Sequence, residues 1–157
     1  MTPNIDIADN DRKAVVEILN RLLSDEYVLL TKTRNYHWNV TGPQFNDLHT
    51  FFESQYDALN EVVDEVAERA GQLGGRAFGT LAEFAKAARL TEQPGGAPAA
   101  KDMLASLLAD HETVIRSLRG DIGPVADRYK DVGTSDFLTG LLEKHEKMAW
   151  MLRAFVS

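Results

Sequence analysis

The sequence predicts an all-α fold: a four-helix bundle in which one long crossover carries a short extra helix. Three observations point there. Apolar residues recur every three or four positions through four long segments. Almost nothing alternates as a half-buried strand would. The link between the second and third segments is long and holds a small helical piece of its own. With 157 residues the chain suits one domain, 1–157, in which 1–9 form a short acidic N-terminal tail.

The first helix begins near Asp9 to Asp11, where acidic residues favour a helix N-terminus. Val15, Ile18, Leu19, Leu22, Leu23, Leu29 and Leu30 form its apolar stripe, and it runs to about Trp38. Gly42-Pro43 breaks it. The second carries Phe45, Leu48, Phe52, Leu59, Val62, Val63, Val66 and Leu73, with Gly74-Gly75 as its stop. Residues 81–88 make about two turns, and 93–98 (QPGGAP) are a loop. The third long helix carries Met103, Leu104, Leu107, Leu108, Val114, Ile115 and Leu118, and is predicted to fray at 120–124. The fourth is predicted to start at Thr134 or Ser135 as N-cap and carries Phe137, Leu138, Leu141, Leu142, Met148, Leu152 and Phe155.

Composition narrows the chemistry. There is no cysteine, so disulfides, zinc-thiolate sites, iron–sulfur clusters and thiol nucleophiles drop out. Any metal must be held by His, Asp or Glu. Lys and Arg total 17 against 24 Asp and Glu, a formal net charge of −7. Such a chain is repelled by phosphate backbones unless its positive charge is concentrated, and residues 1–11 hold three Asp and no base. No stretch approaches a membrane span, and the start lacks the basic and apolar runs of a signal peptide, so the expectation is a cytoplasmic protein.

Four-helix di-iron proteins normally carry Glu-x-x-His pairs. None of the four histidines here (37, 49, 111, 145) has Glu three residues before it, which argues against a metal site inside one bundle. The second helix offers another arrangement. At ~100° per residue, His49, Glu53, Asp64 and Glu68 fall at about 0, 40, 60 and 100° around its axis, one narrow stripe at the edge of the apolar face. Such a stripe can grip iron, manganese or zinc. A solvated helix rim, with Asp64 or Glu68 paired to Arg69, is the bland alternative.

Distance sharpens the metal reading. His49 and Asp64 are fifteen residues apart, about 22 Å along a helix, whereas ligands sit about 2 Å from their ion. One chain's His49/Glu53 and Asp64/Glu68 therefore cannot share an ion. Two antiparallel copies about a two-fold axis can bring them together, making two identical sites. His37, across the Gly42-Pro43 turn, is placed to join His49, or else packs at a helix end beside Trp38. His111, between Asp110 and Glu112, and His145, in Glu143-Lys144-His145-Glu146, read as exposed helix residues with no role.

Tyr36-His37-Trp38-Asn39-Val40-Thr41-Gly42-Pro43-Gln44-Phe45, then His49, Glu53, Asp64 and Ala67-Glu68-Arg69, resembles the signature of the Dps family, the miniferritins named for DNA protection during starvation. The likeness continues through Gln72-Leu73-Gly74-Gly75 and Trp150-Met151-Leu152-Arg153-Ala154-Phe155, essentially the whole chain. The resemblance implies a ferritin-like subunit, a hollow dodecamer, and ferroxidase centres at two-fold interfaces. It implies iron ligands His37 and His49 from one subunit with Glu53 beside them, and Asp64 and Glu68 from the partner. The family often has Asp where Glu53 stands, so the longer side chain here either coordinates directly or shifts a bridging water. Trp38 is similar to the family's tryptophan near the centre, an electron donor that quenches radicals, with packing as the alternative role.

The implied reaction is oxidation of Fe(II), preferably by hydrogen peroxide, with ferric storage inside the shell and protection from oxidative damage. Zinc or manganese without turnover are the alternative occupants of the same site. Iron entry is implied through acidic pores near the junction of the third and fourth long helices. Asp121, Asp127, Asp131 and Asp136 lie there, and Asp131 and Asp136 are the chosen pore residues, unless one of them caps the fourth helix. DNA-binding members commonly use a basic tail, which this chain lacks, so weak or absent DNA binding is expected. The alternative, a DNA-compacting nucleoid protein, needs a basic surface that the composition does not supply.

Overall fold

The structure, a computed structural model, describes residues 2–157. It contains five helices: α1 (Asp9–Asn39), α2 (Phe45–Gln72), α3 (Leu81–Ala87), α4 (Ala100–Asp127) and α5 (Val132–Val156). The four long ones form the bundle, α1 packed along α2 and α4 along α5. The buried residues of α2 show why. Leu48, Phe52, Gln55, Leu59, Val62, Val66 and Ala70 recur at three- and four-residue spacing, so one stripe faces inward. Each fully buried Leu, Val or Phe on such a stripe contributes roughly 1.5–3 kcal/mol.

Two glycines shape the α1–α2 hairpin and its exit. Gly42, at φ 112°, sits where L side chains rarely go, and its carbonyl accepts from the Phe45 N–H at 3.0 Å to launch α2. Gly74, at φ 79°, ends α2 in a Schellman motif: the Gly75 N–H reaches the Ala70 carbonyl (3.0 Å) and the Gly74 N–H the Gly71 carbonyl (2.9 Å).

From there the crossover climbs alongside α1. Gly75 lies against Val16. The Asn20 amide donates to the Arg76 carbonyl (3.0 Å) and its Oδ1 accepts from the Phe78 N–H (2.8 Å). Phe84 of α3 stacks on Tyr27 at 4.2 Å. Buried Asp25 accepts from the backbone and guanidinium of Arg89 (2.6 and 2.7 Å). Lys32 donates to the Thr91 carbonyl (3.3 Å). These contacts step from Val16 to Lys32, about 24 Å along the helix. The crossover thus delivers α4 to the far end of the bundle, so α2 and α4 run in the same direction.

The α4–α5 junction departs from the sequence reading. α4 does not fray at 120–124 but continues to Asp127 with Pro124 inside it. Proline leaves the Gly120 carbonyl without its helical donor. Val125, fully buried, offsets that loss, and the Arg128 N–H (2.9 Å) and Tyr129 N–H (3.2 Å) close on the Pro124 carbonyl. α5 begins two residues earlier than Thr134. Asp131 is the N-cap, accepting from the Thr134 N–H at 2.9 Å and the Thr134 hydroxyl at 2.5 Å. No helix among the described residues is long and apolar enough to cross a membrane.

Candidate functional site

The α1–α2 hairpin brings His37 and His49 face to face, their rings stacked at 3.8 Å. Each is tied to the other's backbone. His37 Nδ1 lies 2.7 Å from the His49 carbonyl and His49 Nδ1 2.9 Å from the His37 carbonyl. A carbonyl oxygen only accepts, so both Nδ1 atoms carry a proton, and in the neutral form of each ring Nε2 is the atom left with a free lone pair. This is the outer-sphere arrangement that fixes tautomer and ring orientation in metal-ligating histidines. The donor set therefore fits a metal.

The surroundings add to this. Phe45 stacks on His49 at 5.1 Å, and Tyr56 meets the His37 ring edge-on at 5.2 Å. The Tyr56 hydroxyl reaches Glu53 Oε1 at 3.5 Å, and the Arg34 guanidinium sits 4.9 Å over the Tyr56 ring. Desolvation first, then the Glu53 and Asp57 carboxylates, push the phenol above its ordinary value. Glu53 is exposed one turn along α2 from His49.

Asp64 and Glu68 lie further down the same unbroken helix, both exposed. They do not pair with Arg69 as the bland alternative had it. Arg69 turns to the α5 start, donating to the Thr134 hydroxyl (2.9 Å), to Asp131 (3.3 Å) and to Gln72 (2.9 Å). Asp64 and Glu68 form no ion pair among the described residues. Because α2 is continuous, the ~22 Å between them and His49 stands. Among the described residues no three His, Asp or Glu side chains converge to hold an ion. The structure brings His37 and His49 together, sets Glu53 one turn along α2 from His49 beside Tyr56, and keeps Asp64 and Glu68 apart from them.

Trp38, next to His37, is 68% exposed, so packing within this chain is not its role. Phe45, stacked on His49, is also exposed. Of the acidic residues near the α4–α5 junction, Asp131 is buried and committed to Thr134 and Arg69, the capping role left open by the sequence, while Asp136 and Asp127 are exposed. Asp121 is half-buried, and burial holds its carboxyl above the ordinary value.

The reading of His111 and His145 as exposed is corrected. Both are fully buried in the bundle core with Glu26, and they join α4, α5 and α1. His111 continues the Leu107–Val114 stripe, and His145 the Leu141–Met148 stripe. That spacing was the signal; the charged neighbours in the chain obscured it.

Comparison with known proteins agrees with this architecture. The ferritin-like domain family model matches residues 16–157. A low temperature-induced protein of Nostoc sp. is 47% identical over 153 residues, covering 98% of this chain and 86% of the relative. DNA protection during starvation protein 2 of Bacillus anthracis is 38% identical over 145 residues, covering 92% of this chain and 98% of the relative. The Dps protein of Vibrio cholerae O1, described as a member of a superfamily of ferritin-like diiron-carboxylate proteins, superposes with a TM-score of 0.92 at 29% identity, over 99% of this chain and 97% of that one. DpsC from Streptomyces coelicolor gives 0.95 at 28% identity, over 100% and 91%. The chain belongs to the ferritin-like domain family, as a Dps-type miniferritin.

Proposed function

We propose that this chain stores iron and protects against oxidative damage by oxidising Fe(II) at centres shared between two copies. The observation that carries the proposal is the reciprocal lock of His37 and His49, which leaves both Nε2 lone pairs available to Fe(II) substrate. Asp64 and Glu68 of the partner subunit complete the site, and Glu53 lies beside the histidines, ligating directly or through water. Neutral nitrogen with carboxylate oxygen suits Fe(II), and added carboxylates favour Fe(III). Two Fe(II) ions side by side supply both electrons to one peroxide, giving two Fe(III) and, with two protons, two waters; no one-electron reduction to hydroxyl radical is required.

Trp38 and Phe45 support the two-copy reading, since both expose apolar surface beside the histidines where a partner would seat. There Trp38 is placed to donate an electron to a stray radical. A second uncovered patch, Trp150, Met151 and Phe155 near the end of α5, gives the surface a closed shell needs beyond a dimer. In that shell, a dodecamer by family likeness, Asp136 is the better pore residue, because Asp131 is spent on capping. Protection is assigned to removal of iron and peroxide rather than coating of DNA. The net charge is −7, and Arg12 pins the N-terminal segment through the Pro3 (3.0 Å) and Ile7 (2.9 Å) carbonyls.

Anaerobic Fe(II) loading followed by sub-stoichiometric peroxide tests this. The expected result is rapid ferric absorbance at about two irons per peroxide with little trapped hydroxyl radical. Removing an outer-sphere partner of a ligating histidine alone costs about 10–100-fold. His37→Gly with His49→Gly should therefore bring the rate down to that of free iron while assembly size is kept. Unchanged rates in that variant overturn the assignment.

A further inference from the structure

Glu26 of α1, His145 of α5 and His111 of α4 form a hydrogen-bonded chain through the centre of the bundle, each fully buried. His145 Nε2 lies 2.8 Å from Glu26 Oε1, and His145 Nδ1 lies 3.0 Å from His111 Nδ1. The far atoms at the two ends, Glu26 Oε2 and His111 Nε2, have no partner among the described residues. Since those two atoms terminate opposite ends of the chain, and among the described residues no three ligand groups converge, the arrangement handles protons rather than a cation.

With Glu26 ionised, its carboxylate accepts and His145 Nε2 carries a proton. The 3.0 Å contact between the two Nδ1 atoms holds one more. If that proton is on His111, both imidazoles are neutral. One more proton makes a single imidazolium, matched by Glu26: either His111 protonated on both nitrogens, or His145 protonated on both with His111 neutral and its own proton on Nε2. A second added proton would set two N–H groups against each other and two cations beside one carboxylate.

No other group relieves this. Lys32 on α1 is held by Asp110 (2.7 Å), whose own carboxyl burial raises above its ordinary value. Asp25 is turned to Arg89. The buried residues of α2 include nothing titratable. Burial first, and the neighbouring His145 second, hold His111 well below the ordinary histidine range.

We propose that Glu26, His145 and His111 form an acid-sensitive lock between α1, α4 and α5, with room for one imidazolium and not two, so that protonating the second imidazole opens the core. The lock rests on the fold and is independent of the iron reading. The sign follows from linkage: the closed form refuses a proton that the opened form accepts. The closed form is therefore fully favoured above the ordinary histidine value of about 6.5. As pH falls below that value, the opening equilibrium grows by about tenfold per pH unit.

Two measurements on the assembled protein test it. His111→Asn keeps a bonding atom near the Nδ1 position and cannot be charged. Urea midpoints at pH 7.5 and 5.5, at one protein concentration, should fall further for wild type than for H111N; equal falls overturn the lock. Hydrogen exchange of wild type needs no variant. Peptides around 104–118 and 138–152 should lose protection between the same two pH values more than 48–66 of α2 does. Uniform loss, or none, overturns it.

Discussion

His37 and His49 each fix the other's ring orientation through a backbone carbonyl, so the pair is positioned by the hairpin itself. Other residues are set as locally. Glu83 of α3 is held at a pKa of about 2 by the Arg76 guanidinium first and then by the Gly79 N–H, and with Thr80 it forms a capping box. A depressed carboxyl stabilises above its ordinary value and loses that contribution as pH falls toward about 2. Glu83→Gln is thus predicted to speed hydrogen exchange of the α3 amides at pH 7. The gap to wild type should close as pH falls from 4.5, the ordinary carboxyl value, toward about 2; a gap unchanged with pH would contradict this. The placement of His49, Glu53, Asp64 and Glu68 along α2 was legible in the sequence because helix geometry converts spacing into angle and distance. His111 and His145 were not, because charged chain neighbours suggest surface although helical periodicity places both on buried stripes.

Among the elements, the crossover is the one most dependent on side chains outside regular hydrogen bonding. Asn20 spans it with both ends of its amide, to the Arg76 carbonyl and the Phe78 N–H. Asn20→Ala leaves two part-buried backbone groups unpaired, and each costs about 1–3 kcal/mol. We predict a drop of that order in urea-unfolding stability, with protection lost first around 76–78; a change below about 0.5 kcal/mol, the usual range for a surface substitution, would show the loop is held otherwise. All five helices could be read from periodicity and turn chemistry, including the stop at Gly74-Gly75. The α4–α5 junction could not, because Gly120, Gly123 and Pro124 are helix breakers by propensity. Burial of Val125 and the Asp131 cap, both tertiary facts, decide the matter instead.

For the whole molecule, the decisive quantity is a length. One α2 helix holds the histidine end and the carboxylate end of the proposed metal site too far apart to meet, and among the described residues the carboxylates have no ion-pair partner. This separation was legible because it needs only helical rise. The exposure of Trp38 and Phe45 was not, because surface packing leaves no period in a sequence. The proposed site shared across two copies is tested most directly by mixing two subunits that should each be inactive. One carries His37→Gly and His49→Gly, the other Asp64→Ala and Glu68→Ala, and they are co-assembled in equal amounts. A mixed pair about a two-fold axis rebuilds one intact site of its two, so random pairing should restore about a quarter of wild-type peroxide-driven Fe(II) oxidation. Activity no greater than that of either parent, from assemblies shown to contain both subunits, would contradict the shared centre.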